Sequence, residues 1–213
     1  MRRWISVAVL AAASCGESDE QGSLGALSLD AGAPSAPDAG GAAGTVDAGP
    51  SDGGTVSLPA AIEEAFDRAD MQPGQWTWIP VEGARCRDGS RTGFLVRTKP
   101  AASRWVIYLQ GGGACFNPLT CASNRSSFSA VSAEQTARNL NAGIFDDLRE
   151  TNPVKDWSFA FIPYCTGDVF AGTREDAPIE GVGGQDFVGA RNVERFVELL
   201  HARYGGETEE VLV

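Results

Sequence analysis

Three consecutive glycines, Gly111 to Gly113, follow an apolar run at residues 105–109 and precede Cys115. Glycine at the end of a strand is destabilising, so such a run indicates a place where bare backbone is needed. Two chemistries use exposed backbone N–H groups there: phosphate binding, and stabilisation of the oxyanion formed in acyl transfer. A third interpretation is a tight strand exit that binds nothing, which is the commoner case for an isolated glycine triplet.

The phosphate interpretation lacks support in the sequence. Neither a GxxxxGK[ST] segment nor a GxGxxG spacing occurs at the glycines, and "GVGGQ", which begins at Gly181, does not supply one. An oxyanion hole needs room for the reacting carbonyl, which glycine provides. The glycines alone do not distinguish an oxyanion hole from a strand exit that binds nothing, so the neighbouring residues have to be considered.

A nucleophile and a base are not recognisable in the sequence. His201 is the single histidine, and it lies near the carboxyl end of a predicted helix, where we interpret it as a surface or capping residue. The serines of "CASNRSSFSAVS" do not sit on a strand-to-helix turn beside a base. The one GxSxG match, "GPSDG" at residues 49–53, does not follow a predicted strand, and residues 57–213 contain none.

Four cysteines follow Cys15 in the sequence: Cys86, Cys115, Cys121 and Cys165. An even number in an exported chain favours two disulfides. Cys115 and Cys121 can close a small loop, and Cys86 would then pair with Cys165, although the sequence does not fix the connectivity. A zinc site is the alternative, but paired CxxC units and a neighbouring histidine are missing.

The amino terminus is typical of an export signal. Met1, Arg2 and Arg3 precede "WISVAVLAAASC", an apolar run about half as long as the roughly 20 residues of a membrane-spanning helix. The closing "AASC" resembles a lipoprotein signal, in which Cys15 is acylated. We therefore predict a lipoprotein-type signal peptide over residues 1–15, with an ordinary cleaved signal and a secreted product as the alternative.

Residues 16–56 are rich in Ala, Gly, Asp, Pro and Ser, and they contain neither an aromatic residue nor Lys or Arg. Such a segment buries too little apolar surface to fold, so we predict a disordered tether. The formal net charge is −11 over all 213 residues. Seven carboxylates lie in the tether, so the domain predicted over residues 57–213 is only mildly acidic. Its sequence has no basic patch, which argues against nucleic acid as a partner.

The hydrophobic pattern of residues 57–213 predicts alternating strands and helices. After a helix at 58–69, an antiparallel pair is expected at 76–81 and 93–98, buried strands at 105–109 and 158–165, a helix at 132–142, and a last strand from Glu209. This order indicates an open α/β sheet, mostly parallel, with helices on both faces. Ligands bind such sheets beyond the carboxyl ends of the strands, which is where the glycines lie.

The segment "GARNVERFVELLHARYGG", before the last strand, predicts a helix with a clear apolar face. Gly205 follows it in the position of a C-cap. Its predicted core-facing residues are Val193, Phe196, Val197, Leu200 and Tyr204.

Several blocks of this sequence occur in the same order in a known family. "CRDGSRTGF", "GGGACFNPLTC", "GIFDDLRETNPVKDW" and "FIPYCTGDVFAG" resemble the pectin acetylesterase and Notum carboxylesterase family of α/β-hydrolases. The resemblance covers nearly all of residues 57–213, and it implies the amino-terminal half of an α/β-hydrolase sheet. It further implies hydrolysis of a carboxylic ester on a carbohydrate or another carrier, without a metal or organic cofactor.

The resemblance also implies roles for individual residues. Gly112 and Gly113 correspond to backbone donors of the oxyanion hole, and the four cysteines correspond to family cysteines. The loop at residues 165–172 would line the pocket entrance. Asp168 in that loop is either a pocket residue or a solvated turn aspartate.

In the family that this sequence resembles, a glycine-flanked serine follows the next strand, and the aspartate and histidine lie further along. Here that strand is "EEVLV", which ends at Val213. We therefore expect a fragment of a lipid-anchored bacterial esterase, acting on an acylated polysaccharide and inactive as written. The alternative is a truncated, non-catalytic surface lipoprotein that binds a polysaccharide or a protein partner.

Overall fold

The computed structural model describes residues 7–8, 66, 71–100 and 103–213. Its strands are β1 (Val7–Ala8), β2 (Thr77–Arg85), β3 (Arg91–Arg97), β4 (Arg104–Leu109), β5 (Ser158–Ile162), β6 (Arg174–Ile179), β7 (Gly183–Phe187) and β8 (Glu210–Leu212). Its helices are α1 (Pro118–Ser123), α2 (Ala130–Asn139) and α3 (Gly189–Tyr204), with a 3-10 turn at Gly143–Phe145.

One mixed sheet organises the described residues, in the order β1-β8-β4-β5-β3-β2. Strands β1, β8, β4 and β5 run parallel, whereas β3 pairs antiparallel with both β5 and β2. Strands β6 and β7 form a separate antiparallel hairpin. The α/β class and the antiparallel pair expected from the sequence are confirmed. In the described part of the chain, no helix is long and apolar enough to span a membrane.

Side chains alternate between the two faces along each strand. Apolar side chains of β5 therefore lie on both faces of the sheet, and helices cover both. Ala160 and Ile162 of β5 pack in the same buried cluster as Phe196 of α3. Phe161 of β5 lies on the opposite face, in a cluster with Ala133 of α2. The crossover from β4 to β5 carries α1 and α2, and that from β5 to β8 carries α3.

Helix α2 begins and ends earlier than the predicted 132–142. Ser129 is its N-cap, and its hydroxyl accepts a hydrogen bond from the Ser132 amide. At the other end, the Leu140 amide bonds to Ala137 in a tight turn, and the Trp76 indole donates to the Leu140 carbonyl. These contacts end the helix at Asn139, before the predicted boundary.

Strand β5 ends at Ile162 and not at Cys165, because Pro163 has no amide hydrogen to continue the ladder. Helix α1 was not predicted; Asn117 and Thr120 start it with a capping box. The hairpin β6–β7 was not predicted either, since proline in one strand and glycines in the other give a weak strand signal.

Helix α3 has the predicted position, with two differences in detail. Val197 is 38% exposed, so it does not belong to the core-facing set, whereas Leu199 is buried. Gly205 is the C-cap, but in a right-handed conformation, and its amide donates to the His201 carbonyl at 2.7 Å. The last strand begins at Glu210, one residue after the predicted start.

The predicted signal peptide, tether and first helix lie outside the described residues, except for β1 and Phe66. Residues Val7 and Ala8 pair in parallel with Val211 and Leu212 of β8. Phe66 is helical and buried, with its ring 6.3 Å from Phe94 and 6.0 Å from Tyr204.

Candidate functional site

The three glycines lie directly beyond the carboxyl end of β4, at the edge of the sheet where α/β proteins bind ligands. Gln110 is the last residue of this segment bonded to β5, since its amide donates to the Ile162 carbonyl at 3.0 Å. Gly111, Gly112 and Gly113 are all exposed. The hydrogen bonds of the described residues include none donated by these three amides.

Tyr164 contacts this segment through three different groups. Its backbone amide donates to the Gln110 side-chain oxygen at 3.0 Å, and its hydroxyl donates to the Gly113 carbonyl at 2.7 Å. Its ring lies so close to Gly112 that a Cβ there would be 2.2 Å from Cδ1. Tyr164, two residues after the end of β5, therefore fixes the backbone after β4.

The glycine positions differ in the space around them. A side chain at Gly112 would collide with the Tyr164 ring, whereas one at Gly111 would meet nothing within 4 Å. A Cβ at Gly113 would lie 3.1 Å from the Asn124 side-chain nitrogen, which is close but adjustable. Close packing thus requires glycine at position 112 in particular.

Two disulfides frame the glycines. Cys115–Cys121 closes the segment that follows them, and Cys86–Cys165 ties the end of β2 to the loop after β5. This is the pairing expected from the sequence, and it leaves none of the four sulfurs as a thiolate for zinc. In the described part of the chain, no group of three or more potential metal-ligating side chains is present.

Arg87 is buried next to the segment that the Cys115–Cys121 disulfide closes. Its guanidinium donates to the carbonyls of Cys121 and Asn124 at 2.8 and 2.9 Å, and to the Gln185 side chain of β7 at 2.6 Å. Burial lowers the pKa of this guanidinium, and the nearby Asp88 carboxylate opposes the shift. Arg87 therefore joins the hairpin to the segment after the glycines without a buried carboxylate partner.

Asp168 organises the loop after β5. One of its oxygens accepts hydrogen bonds from the Thr166 hydroxyl at 2.6 Å and the Phe170 amide at 3.1 Å. The other accepts from the Gly189 amide at 2.6 Å, at the first residue of α3. Val188, the N-cap residue, offers no capping side chain. The carboxylate thus caps α3 from a distance and compensates the positive end of its dipole.

The same loop contains two consecutive non-glycine residues with positive φ, Val169 at 52° and Phe170 at 59°. A β-branched residue rarely adopts this conformation, so surrounding contacts must hold it. The Val169 amide donates to the Tyr164 hydroxyl at 2.7 Å, and the Phe170 ring packs 4.9 Å from the Tyr164 ring. The strained turn is therefore fixed by the residue that fixes the glycines.

His201 does not approach the glycines. It lines an apolar cavity of about 290 Å³ together with Trp105 of β4, at the amino-terminal half of that strand. The glycines follow the carboxyl end of the same strand. The structure thus places the single histidine of the sequence away from the candidate oxyanion site.

Sequence reasoning missed Tyr164 and Arg87. Both lie inside blocks quoted for the family resemblance, but their contacts join residues separated by 51 and 98 positions. The only local signal for Tyr164 is its place between Pro163, which ends β5, and Cys165, which is held by a disulfide.

Comparison with known proteins gives the family. The pectinacetylesterase family model matches residues 72–213. This match spans the glycines, both disulfides and the loop of Asp168. The chain belongs to the pectinacetylesterase family.

The similar proteins include palmitoleoyl-protein carboxylesterases. NOTUM of Schmidtea mediterranea is 34% identical over 122 residues, which cover 54% of this chain and 22% of that protein. The inactive palmitoleoyl-protein carboxylesterase notum1b of Danio rerio is 31% identical over 104 residues, covering 46% of this chain and 73% of that protein. The structure of the Wnt deacylase Notum from Drosophila matches with a TM-score of 0.43 and 23% identity, covering 60% of this chain and 38% of that one. The chain thus spans about a fifth of the planarian relative.

Proposed function

We propose that this protein is an exported carboxylic ester hydrolase of the pectin acetylesterase type, in which Gly112 and Gly113 donate backbone hydrogen bonds to the oxyanion. The observation that carries the proposal is the exposed glycine backbone beyond β4, held by Tyr164 in a member of the pectinacetylesterase family. Preorganised N–H donors of this kind stabilise the charge that develops on an ester oxygen during acyl transfer.

The reaction proceeds by serine attack on the ester carbonyl. The carbonyl oxygen becomes an oxyanion held in part by the two glycine amides, and collapse of this intermediate releases the alcohol and leaves an acyl-serine. Water then releases the carboxylic acid. Residues 57–213 contain no GxSxG segment, so the serine that this mechanism requires is not recognisable in the domain.

The test compares two proteins: the native gene product purified from its source, and the 213-residue chain expressed alone. We expect the native protein to hydrolyse p-nitrophenyl acetate, to release acetate from acetylated pectin and to react covalently with a fluorophosphonate. The 213-residue chain, whose residues 57–213 lack a GxSxG segment, should do none of these. A native protein with both disulfides intact and without ester hydrolysis would contradict the proposal.

A second candidate function is binding without hydrolysis. It is favoured by the Danio rerio relative, whose name includes the word inactive. The match to this chain covers 73% of the length of that relative. In that case the native protein would retain affinity for acetylated pectin, measured by calorimetry, while it releases no acetate.

We also propose lipid anchoring through Cys15 to the bacterial cell envelope. The two disulfides support an oxidising, extracytoplasmic location. The substrate would then be an ester on a polymer outside the cell, with an acylated polysaccharide as the first choice. Secretion without a lipid is the outcome if Cys15 is not acylated.

A further inference from the structure

Tyr164 is the residue outside the glycine run that determines its conformation. Glycines have no side chains of their own to restrict the backbone, and each one samples more conformations than any other residue. A loop of three glycines can present amides in a fixed direction only if other residues hold it. Tyr164 does so at Gln110 with its amide, at Gly112 with its ring and at Gly113 with its hydroxyl.

The Tyr164 hydroxyl makes two hydrogen bonds of opposite sense. It donates to the Gly113 carbonyl and accepts from the Val169 amide, each at 2.7 Å. The carbonyl and the amide of one peptide unit point in opposite directions. Because the Gly113 carbonyl is held toward Tyr164, the amide of the next residue, Ala114, points away from Tyr164. The same oxygen atom also holds the strained turn at Val169 and Phe170.

Burial raises the pKa of this hydroxyl, although the hydrogen bond from Val169 acts in the other direction. The group therefore stays protonated at neutral pH and can donate to Gly113. No second hydroxyl is needed, since one phenol oxygen both donates and accepts.

From this geometry we propose that Tyr164 is a positioning residue, which holds the glycine loop in its anion-binding conformation and couples it to the left-handed turn at Val169–Phe170. The catalytic consequence rests on the proposed esterase function, whereas the structural coupling does not. Tyr164 does not touch the reacting atoms in this role. Its effect is to remove the need for the loop to reorganise as charge develops on the substrate.

The test uses Tyr164→Phe, which keeps the ring against Gly112 and removes only the hydroxyl. Tyr204→Phe is the matched control, because its hydroxyl contacts Met71 Sδ at 3.7 Å and its ring packs on Trp105, away from the glycines. In the 213-residue chain, we expect amide exchange at Val169 to rise about tenfold in Tyr164→Phe, as for loss of one hydrogen bond. NMR relaxation should show increased motion of Gly111 to Gly113. Tyr204→Phe should change neither.

A second variant guards against a general loss of fold. Gly112→Ala displaces the Tyr164 ring while the hydroxyl remains, and it should release the Val169 amide as well. Near-ultraviolet circular dichroism of each variant reports whether the core stays packed. Unchanged exchange and relaxation in both variants would overturn the coupling.

The kinetic arm uses the native gene product. Tyr164→Phe should lower kcat about ten- to a hundredfold and leave KM within about twofold, because the loop acts on the transition state. Equal loss in Tyr204→Phe, or a change confined to KM, would overturn the positioning role. If the unaltered native protein hydrolyses no ester, the proposed function fails, and the exchange measurements still decide whether Tyr164 holds the loop.

Discussion

At the glycine run, substituting neighbouring residues should have very different effects. Gly112→Ala places a Cβ 2.2 Å from the Tyr164 ring, whereas Gly111→Ala places one in open space. We expect Gly112→Ala to lower the free energy of unfolding by about 1–3 kcal/mol through overpacking. Gly111→Ala should change it by less than about 0.5 kcal/mol, as for exposed positions generally. Urea unfolding of the two variants measures the difference, and equal midpoints would contradict the close packing at Gly112.

Asp168 is a second residue whose role can be separated from general surface charge. Asp168→Asn removes the negative charge from the amino terminus of α3 and weakens the bond to the Gly189 amide. We expect a loss of about 1–2 kcal/mol in the free energy of unfolding. Glu198→Gln is the control, because it removes an exposed carboxylate from the same helix. If both substitutions cost the same, Asp168 is not a cap.

At the scale of elements, the two disulfides should contribute unequally. Cys86–Cys165 spans 79 positions and Cys115–Cys121 spans 6, so the first restricts the unfolded chain far more. Replacing Cys86 and Cys165 together by alanine should cost about 4–5 kcal/mol, and replacing Cys115 and Cys121 about 2 kcal/mol. Thermal unfolding of the two double variants tests the order, and a larger loss from the short loop would contradict it.

The end of β3 and the residues directly after it make a pH-sensitive contact. The Lys99 ammonium donates to Asp147 at 2.7 Å and lowers the pKa of that carboxyl below its ordinary value of 3.8, with Arg97 adding to the effect at 3.8 Å. Because the folded-state pKa is the lower one, this contribution to stability is present above the ordinary pKa and is lost as the pH falls through the folded one.

Asp147→Asn should therefore destabilise the protein at about pH 6 and do so less at about pH 3, below the ordinary pKa of the carboxyl, where the contribution of the charge is being lost. Urea unfolding of the variant and of the unaltered chain at both pH values gives the difference. A destabilisation of equal size at both pH values would show that packing, and not charge, is responsible. Glu198→Gln again serves as the exposed control.

The elements that the sequence predicts well are those whose signal is local. The apolar run of β4 and the 3.6-residue pattern of α3 give their positions within one or two residues. A local sequence pattern does not predict an element boundary that depends on distant residues. The end of α2 is an example, because it is set in part by the Trp76 indole, which lies 64 positions away. The hairpin β6–β7 is a further case, since Gln185 is held by the buried Arg87.

The candidate site likewise contains some residues that the sequence predicts and others that it does not. Its glycines and cysteines are visible in the sequence because their types are unusual and closely spaced. Tyr164 and Asp168 carry out their structural roles through contacts with Gly113 and Gly189, which are 51 and 21 positions away. Nothing in the pattern around either residue predicts those partners.

At the scale of the whole molecule, the envelope proposal predicts a lipid on one cysteine. Cys15→Ser should abolish incorporation of an alkyne-labelled fatty acid and release the protein from the membrane fraction. Ser14→Ala is the control, since it keeps a small residue before the acylated position. Unaltered protein that incorporates no lipid would contradict the anchor, and the secreted form would then be the expected product.

The longer disulfide has a further consequence when a protease cuts the chain. Any single cut between Cys86 and Cys165 produces two pieces that remain joined through this bond. That interval includes the glycines and the whole crossover from β4 to β5. A nicked molecule would therefore migrate as one species on a non-reducing gel and as two after reduction, whereas a chain without the bond would give two species on both gels.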